Sequence, residues 1–404
     1  MSTSLFANVE MAPRDPILGL NEAYNADKNP AKVNLGVGVY FGDDGKIPLL
    51  ATVKAAEKAR LETQPPRGYQ PIEGTPAYNG AVQNLLFGKS SEGGELLAAG
   101  RSVTCQCLGG TGALKVGADY LKRLLPDSTV YISDPSWENH RALFEGAGFP
   151  VKDYAYYDAA TRGVDFAAMK ASLAAMPAKS IVVLHACCHN PTGADITAAQ
   201  WAEVVAAIKE KNLVAFIDMA YQGFADSIQQ DAAALDLFTA SGLQFFVSSS
   251  FSKSFSLYGE RVGALTIVTA SKDESARVLS QVKRVIRTNY SNPPTHGGAI
   301  VAACLASPEL RQMWETELAG MRDRIRVMRA SLVENLQAAG APNFAFINVQ
   351  RGMFSYTGLT AAQVEKMRAE YGIYAVSTGR ICVAALNTRN IEYVAKAIAA
   401  VIKG

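Results

Sequence analysis

Lys253 has the sequence setting of a nucleophilic lysine. It follows the apolar residues 245–247 and lies among serines and aromatic residues, with no acidic residue nearby in the sequence. Partial desolvation favours the neutral form of a lysine, and neutral amines attack carbonyl groups to form Schiff bases. The alternative is a solvated lysine beside a serine-rich loop, which is the commoner situation. This stretch alone leaves both interpretations open.

Three polar residues near the ends of apolar runs could take part in the same chemistry as Lys253. Asp218 follows the run 213–217, and the carboxyl ends of strands are where open α/β sheets bind ligands. A carboxylate there can pair with the protonated pyridine nitrogen of pyridoxal phosphate, the cofactor that lysine Schiff bases anchor. Tyr221 and Asn190 can hydrogen-bond a phenolic oxygen of the same ring. Each residue alone is compatible with an ordinary cap or turn, but with Lys253 they form a set.

A glycine-rich turn at 109–112 follows a strand-like run and precedes a helical one. This arrangement directs backbone N–H groups and a helix dipole at an anion such as phosphate. A dinucleotide-binding fold is the rival, with Asp134 as the ribose-binding acid. The third glycine position of the dinucleotide-binding pattern holds Lys115, whose bulk would block close helix–strand packing. This argues against the dinucleotide-binding fold. A plain strand-to-helix turn stays open.

Several further side chains could bind a cofactor. Arg261 offers a forked cation to a phosphate, and Ser250 and Ser252 offer hydroxyl groups. Trp137 follows another strand end, where an indole can stack on a cofactor ring, although core packing is the commoner role of such a residue.

Two arginines are candidates for binding carboxylates. Arg380 precedes a strand-like run, where a guanidinium can bind a carboxylate bidentately. Arg287 lies four residues after Lys283 on one predicted helical face, a pattern typical of a solvated surface.

Composition and cysteine usage exclude several classes of protein. The chain has 404 residues, 49% of them apolar, and a net charge of +2, which predicts neither nucleic-acid nor membrane binding. It contains no apolar run of membrane-spanning length and begins with no signal pattern, so we expect a cytoplasmic protein. The segment 185–189 combines two histidines with two cysteines, but no CxxC pair completes a zinc site, and we predict no metal.

The order of apolar runs predicts an α/β fold. Strands and helices alternate as in a mainly parallel sheet covered by helices on both faces, and a long charged helix is predicted at about 308–338. The length favours two domains. We predict an N-terminal arm at 1–15, a large domain at 48–310 and a smaller α+β domain formed by 16–47 and 311–404.

With these residues established, the sequence resembles the class I aminotransferases of fold type I, in the branch that acts on aspartate and aromatic amino acids. The resemblance covers essentially the whole chain and rests on the segments 34–40, 109–112, 188–193, 252–253 and 289–294. It implies a pyridoxal-phosphate enzyme with a seven-stranded sheet. It also implies a homodimer with shared active sites and a small domain that closes over the substrate.

The resemblance also implies roles for individual residues. Lys253 would hold the cofactor as an aldimine and move the proton during catalysis, and Asp218 would pair with the ring nitrogen. Asn190 and Tyr221 would bond the ring oxygen, and Trp137 would stack on the ring. The implied phosphate ligands are Gly110, Thr111, Ser250, Ser252, Arg261 and, from the other subunit, Tyr69.

By the same resemblance, Arg380 would bind the substrate α-carboxylate, helped by Asn190 and the backbone of Gly38. Arg287 of the partner subunit would bind the distal carboxylate of aspartate or glutamate.

Substrate preference is predicted from finer similarities. The segments 114–120, 255–261 and 351–358 resemble bacterial aromatic-amino-acid (tyrosine) aminotransferases, and Phe41 and Ile47 predict a more apolar pocket. We expect transfer from tyrosine, phenylalanine and also aspartate to 2-oxoglutarate by a ping-pong mechanism through pyridoxamine phosphate. A strict aspartate aminotransferase is the alternative.

Two remoter alternatives are weaker. Residues 250–253 fit the S-x-x-K pattern of serine hydrolases, but no Ser-Asp-Asn or Lys-Thr-Gly partner occurs and the pattern follows a strand. A non-catalytic regulator that binds pyridoxal phosphate would need a DNA-binding extension, and no helix-turn-helix segment precedes residue 30.

Overall fold

The computed structural model describes residues 4–403. Residues 4–15 are exposed along their whole length, as expected for an arm without a core of its own. The predicted arm also includes residues 1–3, which lie outside the described residues.

The described residues form thirteen β-strands, and seven of these strands form one central sheet. In chain order the strands are β1 Val33–Asn34, β2 Ser102–Leu108, β3 Val130–Asp134, β4 Val151–Ala155, β5 Tyr157–Asp158, β6 Gly163–Val164, β7 Ile181–His185, β8 Val214–Met219, β9 Phe245–Ser250, β10 Val262–Val268, β11 Phe354–Tyr356, β12 Ile373–Tyr374 and β13 Arg380–Cys382. The central sheet has the order β2-β10-β9-β8-β7-β3-β4.

Strand directions confirm the predicted mainly parallel sheet. The strands from β9 to β4 pair in parallel, whereas β10 is antiparallel to both β9 and β2. The three-strand centre β7, β8 and β9 is almost wholly buried. Strands buried on both faces read as continuous apolar runs, which is why the sequence located them.

Fourteen α-helices lie within residues 4–403. They are α1 Leu18–Ala26, α2 Ala51–Thr63, α3 Pro76–Phe87, α4 Ser91–Ala98, α5 Gly109–Leu124, α6 Glu138–Gly146, α7 Phe166–Ala175, α8 Ala198–Glu210, α9 Ala233–Ala240, α10 Lys272–Asn289, α11 His296–Ala306, α12 Pro308–Ala338, α13 Ala361–Tyr371 and α14 Ile391–Lys403. No helix among these is long and apolar enough to cross a bilayer.

The two faces of the sheet belong to separate apolar clusters. Along β8, Ala215 and Ile217 join one cluster and Phe216 joins the other, as the two-residue period of a strand requires. Helix α5 packs closely on the second face: a Cβ at Gly117 would lie 2.5 Å from the Phe216 ring. This packing fixes the start of α5 against the ends of the strands.

The long helix predicted at 308–338 is confirmed as α12, a single helix of 31 residues. The Ser307 side chain accepts a hydrogen bond from the Leu310 N–H, and Pro308 occupies the first turn, where it has no N–H to leave unpaired. Beyond it, β11 pairs with β13, and β12 pairs with β1 from the N-terminal part of the chain. This arrangement fits an α+β domain that includes the segment before residue 48.

Candidate active site

A cavity of about 790 Å³ opens at the carboxyl ends of the parallel strands. It brings together twelve of the predicted site residues: Gly38, Gly110, Thr111, Trp137, Asn190, Asp218, Tyr221, Ser250, Ser252, Lys253, Arg261 and Arg380. Adjacent strands in the sheet explain the convergence. Asn190, Asp218 and Lys253 come at or just after the ends of β7, β8 and β9, which are neighbours in that order.

Asp218 is held as an ionised carboxylate. Its Oδ2 lies 2.9 Å from Nε2 of His140, and its Oδ1 accepts a hydrogen bond of 2.7 Å from the Ser248 hydroxyl. Burial acts to raise the pKa of Asp218, but the hydrogen bond and charge of His140, the charge of His185 and the Ser248 hydroxyl together lower it. His140 therefore both orients the carboxylate and favours its charged form.

Lys253 lies in a turn directly after β9, half-buried in the cavity wall. Its Nζ is 4.9 Å from the centre of the Tyr221 ring. Burial lowers the pKa of Lys253 to about 8; the charge of Asp218 acts against this shift, and the charges of Arg261 and Arg380 add to it. A lysine with this pKa has a far larger neutral, nucleophilic fraction near neutral pH than a solvated lysine.

Arg261 and the start of α5 form a group of donors without an acid. The Arg261 Nη1 donates to the Ser252 hydroxyl (3.3 Å) and to the Tyr258 carbonyl (3.0 Å). Gly109 has φ +70°, and a Cβ there would lie 2.7 Å from Nη2 of Arg261, so only glycine lets the guanidinium approach the helix start. The residue before α5 makes no side-chain cap. The Gly109 N–H donates to the Arg261 carbonyl (3.1 Å), and the next N–H groups of the first turn, beginning at Gly110, stay available to an anion.

Arg380 is a buried cation that has no carboxylate partner among residues 4–403. Its Nη1 donates to Oδ1 of Asn190 (3.1 Å) and its Nη2 to the carbonyl of Gly36 (2.6 Å), while its Nε has no hydrogen-bond acceptor. Burying an unpaired charge is costly. Such a guanidinium is therefore suited to receive an anionic ligand from the cavity.

The cavity combines an amine with a lowered pKa, an ionised carboxylate and two guanidinium groups that have no acidic partner in the described chain. A family model described as aminotransferase class I and II matches residues 30–398. The chain belongs to this family of aminotransferases. It is 68% identical over 400 residues to a protein named aspartate aminotransferase from Pseudomonas aeruginosa, across 99% of this chain and 100% of that relative.

Two further comparisons cover the aminotransferase along nearly its whole length. It is 49% identical to the aromatic-amino-acid aminotransferase of Escherichia coli, across 98% of this chain and 100% of that one. It superposes with a TM-score of 0.95 on an aromatic-amino-acid aminotransferase from Burkholderia pseudomallei, described as covalently bound to pyridoxal phosphate. That structure is 69% identical, with 98% of this chain and 99% of the other covered. These similarities confirm the predicted family and fold type.

Two predicted site residues of the aminotransferase lie outside the cavity. Tyr69 is 96% exposed, and Arg287 is an exposed residue of α10 that hydrogen-bonds Ser291. Phe41 and Ile47, expected to make the pocket more apolar, do not line the cavity of their own chain either. Phe41 packs on the core, and Ile47 is 48% exposed. None of these four residues lines the cavity of its own chain.

The cavity of the aminotransferase is also lined by several residues that the sequence did not indicate. They are Asp15, Pro16, Ile17, Leu18, Leu114, Glu138, Asn139, Ala142, His185, Ala220, Tyr258 and Phe354. Glu138 and Asn139 carried a signal, because they directly follow Trp137 at the first turn of α6. Other contacts, such as that of Asp15, depend on long-range packing that no local pattern encodes.

The cysteine cluster considered as a zinc site behaves as buried packing. Ligand atoms of Cys187, Cys188 and Asp231 lie within 4.8 Å of one another. The hydrogen bond that Cys187 donates to Cys188, together with burial, raises the pKa of Cys187. Burial raises the pKa of Cys188 to about 11, so both thiols stay protonated. The Asp231 carboxylate is already occupied, since it accepts hydrogen bonds from four backbone N–H groups.

Proposed function

We propose that this aminotransferase uses pyridoxal phosphate to move the amino group of tyrosine, phenylalanine and aspartate to 2-oxoglutarate by a ping-pong mechanism. The observation that carries the proposal is the meeting, in one cavity, of Lys253, Asp218 and two guanidinium groups that have no acidic partner in the described chain. Support comes also from the relatives. They are named for both aspartate and aromatic amino acids, and one is described as covalently bound to pyridoxal phosphate.

The residues present fit the phosphate of that cofactor. Arg261, Ser250 and Ser252 surround the open first turn of α5, which begins with Gly109, Gly110 and Thr111. Helix N-termini and arginine forks are the usual protein ligands of phosphate. No acidic side chain of the described chain pairs with Arg261, so its charge is free to balance the phosphate.

The cavity also fits the pyridine ring. Bound pyridoxal phosphate supplies an electron-withdrawing ring that stabilises negative charge at the substrate Cα. Asp218 would hold the ring nitrogen in its protonated state, because His140 and Ser248 keep its carboxylate ionised. Asn190 and Tyr221 would donate to the ring oxygen, and Trp137 would cover one face of the ring.

Lys253 would act twice. Its neutral amine would hold the cofactor covalently. Once displaced by the substrate amine, it would accept the proton from the substrate Cα and release it to the carbon on the far side of the substrate nitrogen. The lowered pKa, about 8, brings the amine close to the range in which it can both accept and release that proton. Both half-reactions use the same site, since amino acid and oxo acid share the carboxylate that Arg380 would bind with Asn190 and the Gly38 backbone.

We propose that the enzyme is a homodimer in which Tyr69 and Arg287 complete the partner's cavity. Both residues are exposed and stay outside the cavity of their own chain. Large apolar side chains of the N-terminal arm are also left uncovered, including Phe6 at 72% and Met11 at 96% exposure. Exposed apolar side chains grouped in one segment favour a protein partner.

The proposed domain division places the cavity between two bodies. Lys253 and Asp218 belong to the domain 48–310, whereas Gly38 and Arg380 belong to the domain formed by 16–47 and 311–404. Closure of the smaller domain would exclude water from the reacting groups. The cytoplasmic location expected from the sequence stays a prediction.

The proposal is tested by kcat/KM for tyrosine, phenylalanine and aspartate with 2-oxoglutarate as the acceptor. We expect all three amino acids to be used, with values within about 100-fold of one another, the range that pocket contacts of 1–3 kcal/mol produce. A strict aspartate aminotransferase would instead show aromatic substrates weaker by several further orders of magnitude. Absence of transfer from all three would overturn the proposal.

The role of Arg287 has its own test. In Arg287→Leu we expect kcat/KM for aspartate to fall by about 10²-fold, the cost of removing one partner of a charged pair, and that for phenylalanine to change little. Arg284→Leu, an exposed arginine one turn earlier on α10, is the matched control and should change neither. Equal losses for both substrates would contradict the assignment.

A mixed dimer separates action within a chain from action on the partner. Combining Lys253→Ala subunits with Arg287→Leu subunits leaves one cavity with Lys253 and, from the partner subunit, an intact Arg287. Aspartate turnover should therefore reappear in the mixture. If Arg287 served its own chain, no cavity of the mixed dimer would be complete and turnover would stay low.

A further inference from the structure

Phe354 lies against two side chains of the candidate site at once. It opens β11, is only 2% exposed and lines the cavity. The guanidinium carbon of Arg380 is 4.3 Å from the centre of its ring. The Tyr221 ring meets it edge-on, with centroids 6.0 Å apart and planes at 83°. One aromatic ring therefore contacts both the buried cation and the tyrosine beside Lys253.

The hydrogen bonds of Arg380 hold only part of its guanidinium group. Only its two terminal nitrogens have acceptors, on Asn190 and Gly36, and its Nε has none. The face of an aromatic ring attracts a cation, most strongly where water is excluded. Phe354 stacks on the guanidinium and therefore holds it in a position that the hydrogen bonds alone do not fix. The same contact offsets part of the free-energy cost of burying the charge.

The backbone that carries the Phe354 ring is fixed by a buried arginine. Arg329 of α12, which is 3% exposed, donates from Nη2 to the carbonyls of Phe354 (2.5 Å) and Gly352 (2.7 Å). In the register of β11 with β13, Phe354 pairs with Cys382 and Tyr356 pairs with Arg380. The ring and the guanidinium are thus carried by two strands that are bonded to each other.

On the cavity side, Gly38 lets the ring reach this position. A Cβ at Gly38 would lie 2.7 Å from Cζ of Phe354, too close for any side chain to be accommodated without moving the ring. Gly38 and Phe354 therefore lie against each other in the part of the cavity wall that includes Arg380.

We propose that Phe354 is a positioning residue that holds the guanidinium of Arg380 ready for the substrate carboxylate. The inference rests on the proposed function, in which Arg380 binds the carboxylate common to every substrate. Because Phe354 acts through that common group, its effect is the same for dicarboxylic and aromatic substrates. This uniformity distinguishes it from a residue that selects among side chains.

The test measures binding separately from turnover. In Phe354→Leu and in the more volume-conserving Phe354→Met, KM for aspartate, phenylalanine and 2-oxoglutarate should each rise about tenfold, the effect of losing a desolvated cation–π contact. We expect kcat to change little. The Kd of 3-phenylpropionate for the holoenzyme, which has the carboxylate but no amino group, should rise by the same factor.

A matched control is available at Phe346. The Arg162 guanidinium carbon is also 4.3 Å from the centre of that ring, outside the cavity. Phe346→Leu removes an equivalent cation–π contact and should leave all KM values unchanged. Where Phe354→Leu is unstable, Phe354→Met carries the test.

The inference would be overturned by unchanged KM values in the Phe354 variants, by a loss of kcat without a change in KM, or by the same rise in Phe346→Leu. A rise confined to one substrate would overturn it too, since it would assign Phe354 to side-chain selection. Failure of the proposed function is distinguishable, because the unmodified enzyme would then transfer no amino group.

Discussion

Lys253→Ala is expected to abolish amino-group transfer, with kcat falling by about 10⁴-fold or more, because one side chain supplies both the covalent attachment and the proton transfer. The fold should survive the change, since Lys253 is in a turn and forms no ion pair within the described chain. Its burial also lowers its pKa, which costs stability whenever the amine is charged. Alanine removes this cost, so the free energy of unfolding below pH 8 should not decrease.

The covalent attachment can be read independently of activity. After treatment of the purified holoenzyme with borohydride, mass spectrometry should find a reduced pyridoxyl group on the peptide that contains Lys253. Lys253→Ala should carry no such group, whereas Lys170→Ala, which removes a surface lysine paired with Glu203, should be labelled like the unmodified enzyme. A trapped adduct in Lys253→Ala would show that another lysine holds the cofactor.

The sequence could locate this site because its main residues follow continuous apolar runs. Strands buried on both faces are read directly from hydrophobicity, and ligands bind where parallel strands end. Asn190, Asp218 and Lys253 can therefore be grouped from their positions in the sequence alone. The boundaries of α12 were predictable for a different reason, since Ser307 and Pro308 are strong start signals for a helix.

Residues that reach the cavity through long-range packing were not predictable in this way. Phe354 is 26 residues from Arg380 and over a hundred from Tyr221 in sequence, and no periodicity relates the three. The contact of Arg380 with the Gly36 carbonyl joins residues 344 positions apart. Such pairs are determined by how the C-terminal strands dock, which depends on the whole core.

Tertiary structure also decides between motifs that look alike in sequence. The S-x-x-K pattern at 250–253 would need its serine to face a substrate as a nucleophile. Instead Ser250 ends a wholly buried strand, its hydroxyl accepts from the Ser252 N–H at 3.4 Å, and its Cβ is 3.1 Å from where a Cβ at Gly110 would be. Its surroundings are those of an anion site, and the family match agrees.

Asp218→Ala is expected to lower kcat by about 10³-fold, because about 4 kcal/mol is the scale of losing one partner of a buried charge pair. The carboxylate is ionised in the free protein through His140 and Ser248. Without it, the positive charge on the ring nitrogen would lose the carboxylate assigned to it, and the ring would withdraw electrons less strongly from the substrate Cα. Steady-state kinetics with aspartate and with phenylalanine should show equal losses.

Two variants separate the charge of Asp218 from its hydrogen bonds. Asp218→Asn keeps the shape but not the charge and should be nearly as slow as Asp218→Ala. Ser248→Ala removes one hydrogen bond of 2.7 Å and keeps the charge, so its loss should be about tenfold, the effect of one hydrogen bond to a charged group. Near-normal turnover in Asp218→Asn would refute the electrostatic role, because it would show that the negative charge is not needed. The His140 imidazole would stay in place in either variant, because its Nδ1 is hydrogen-bonded to the Ser136 hydroxyl (2.9 Å).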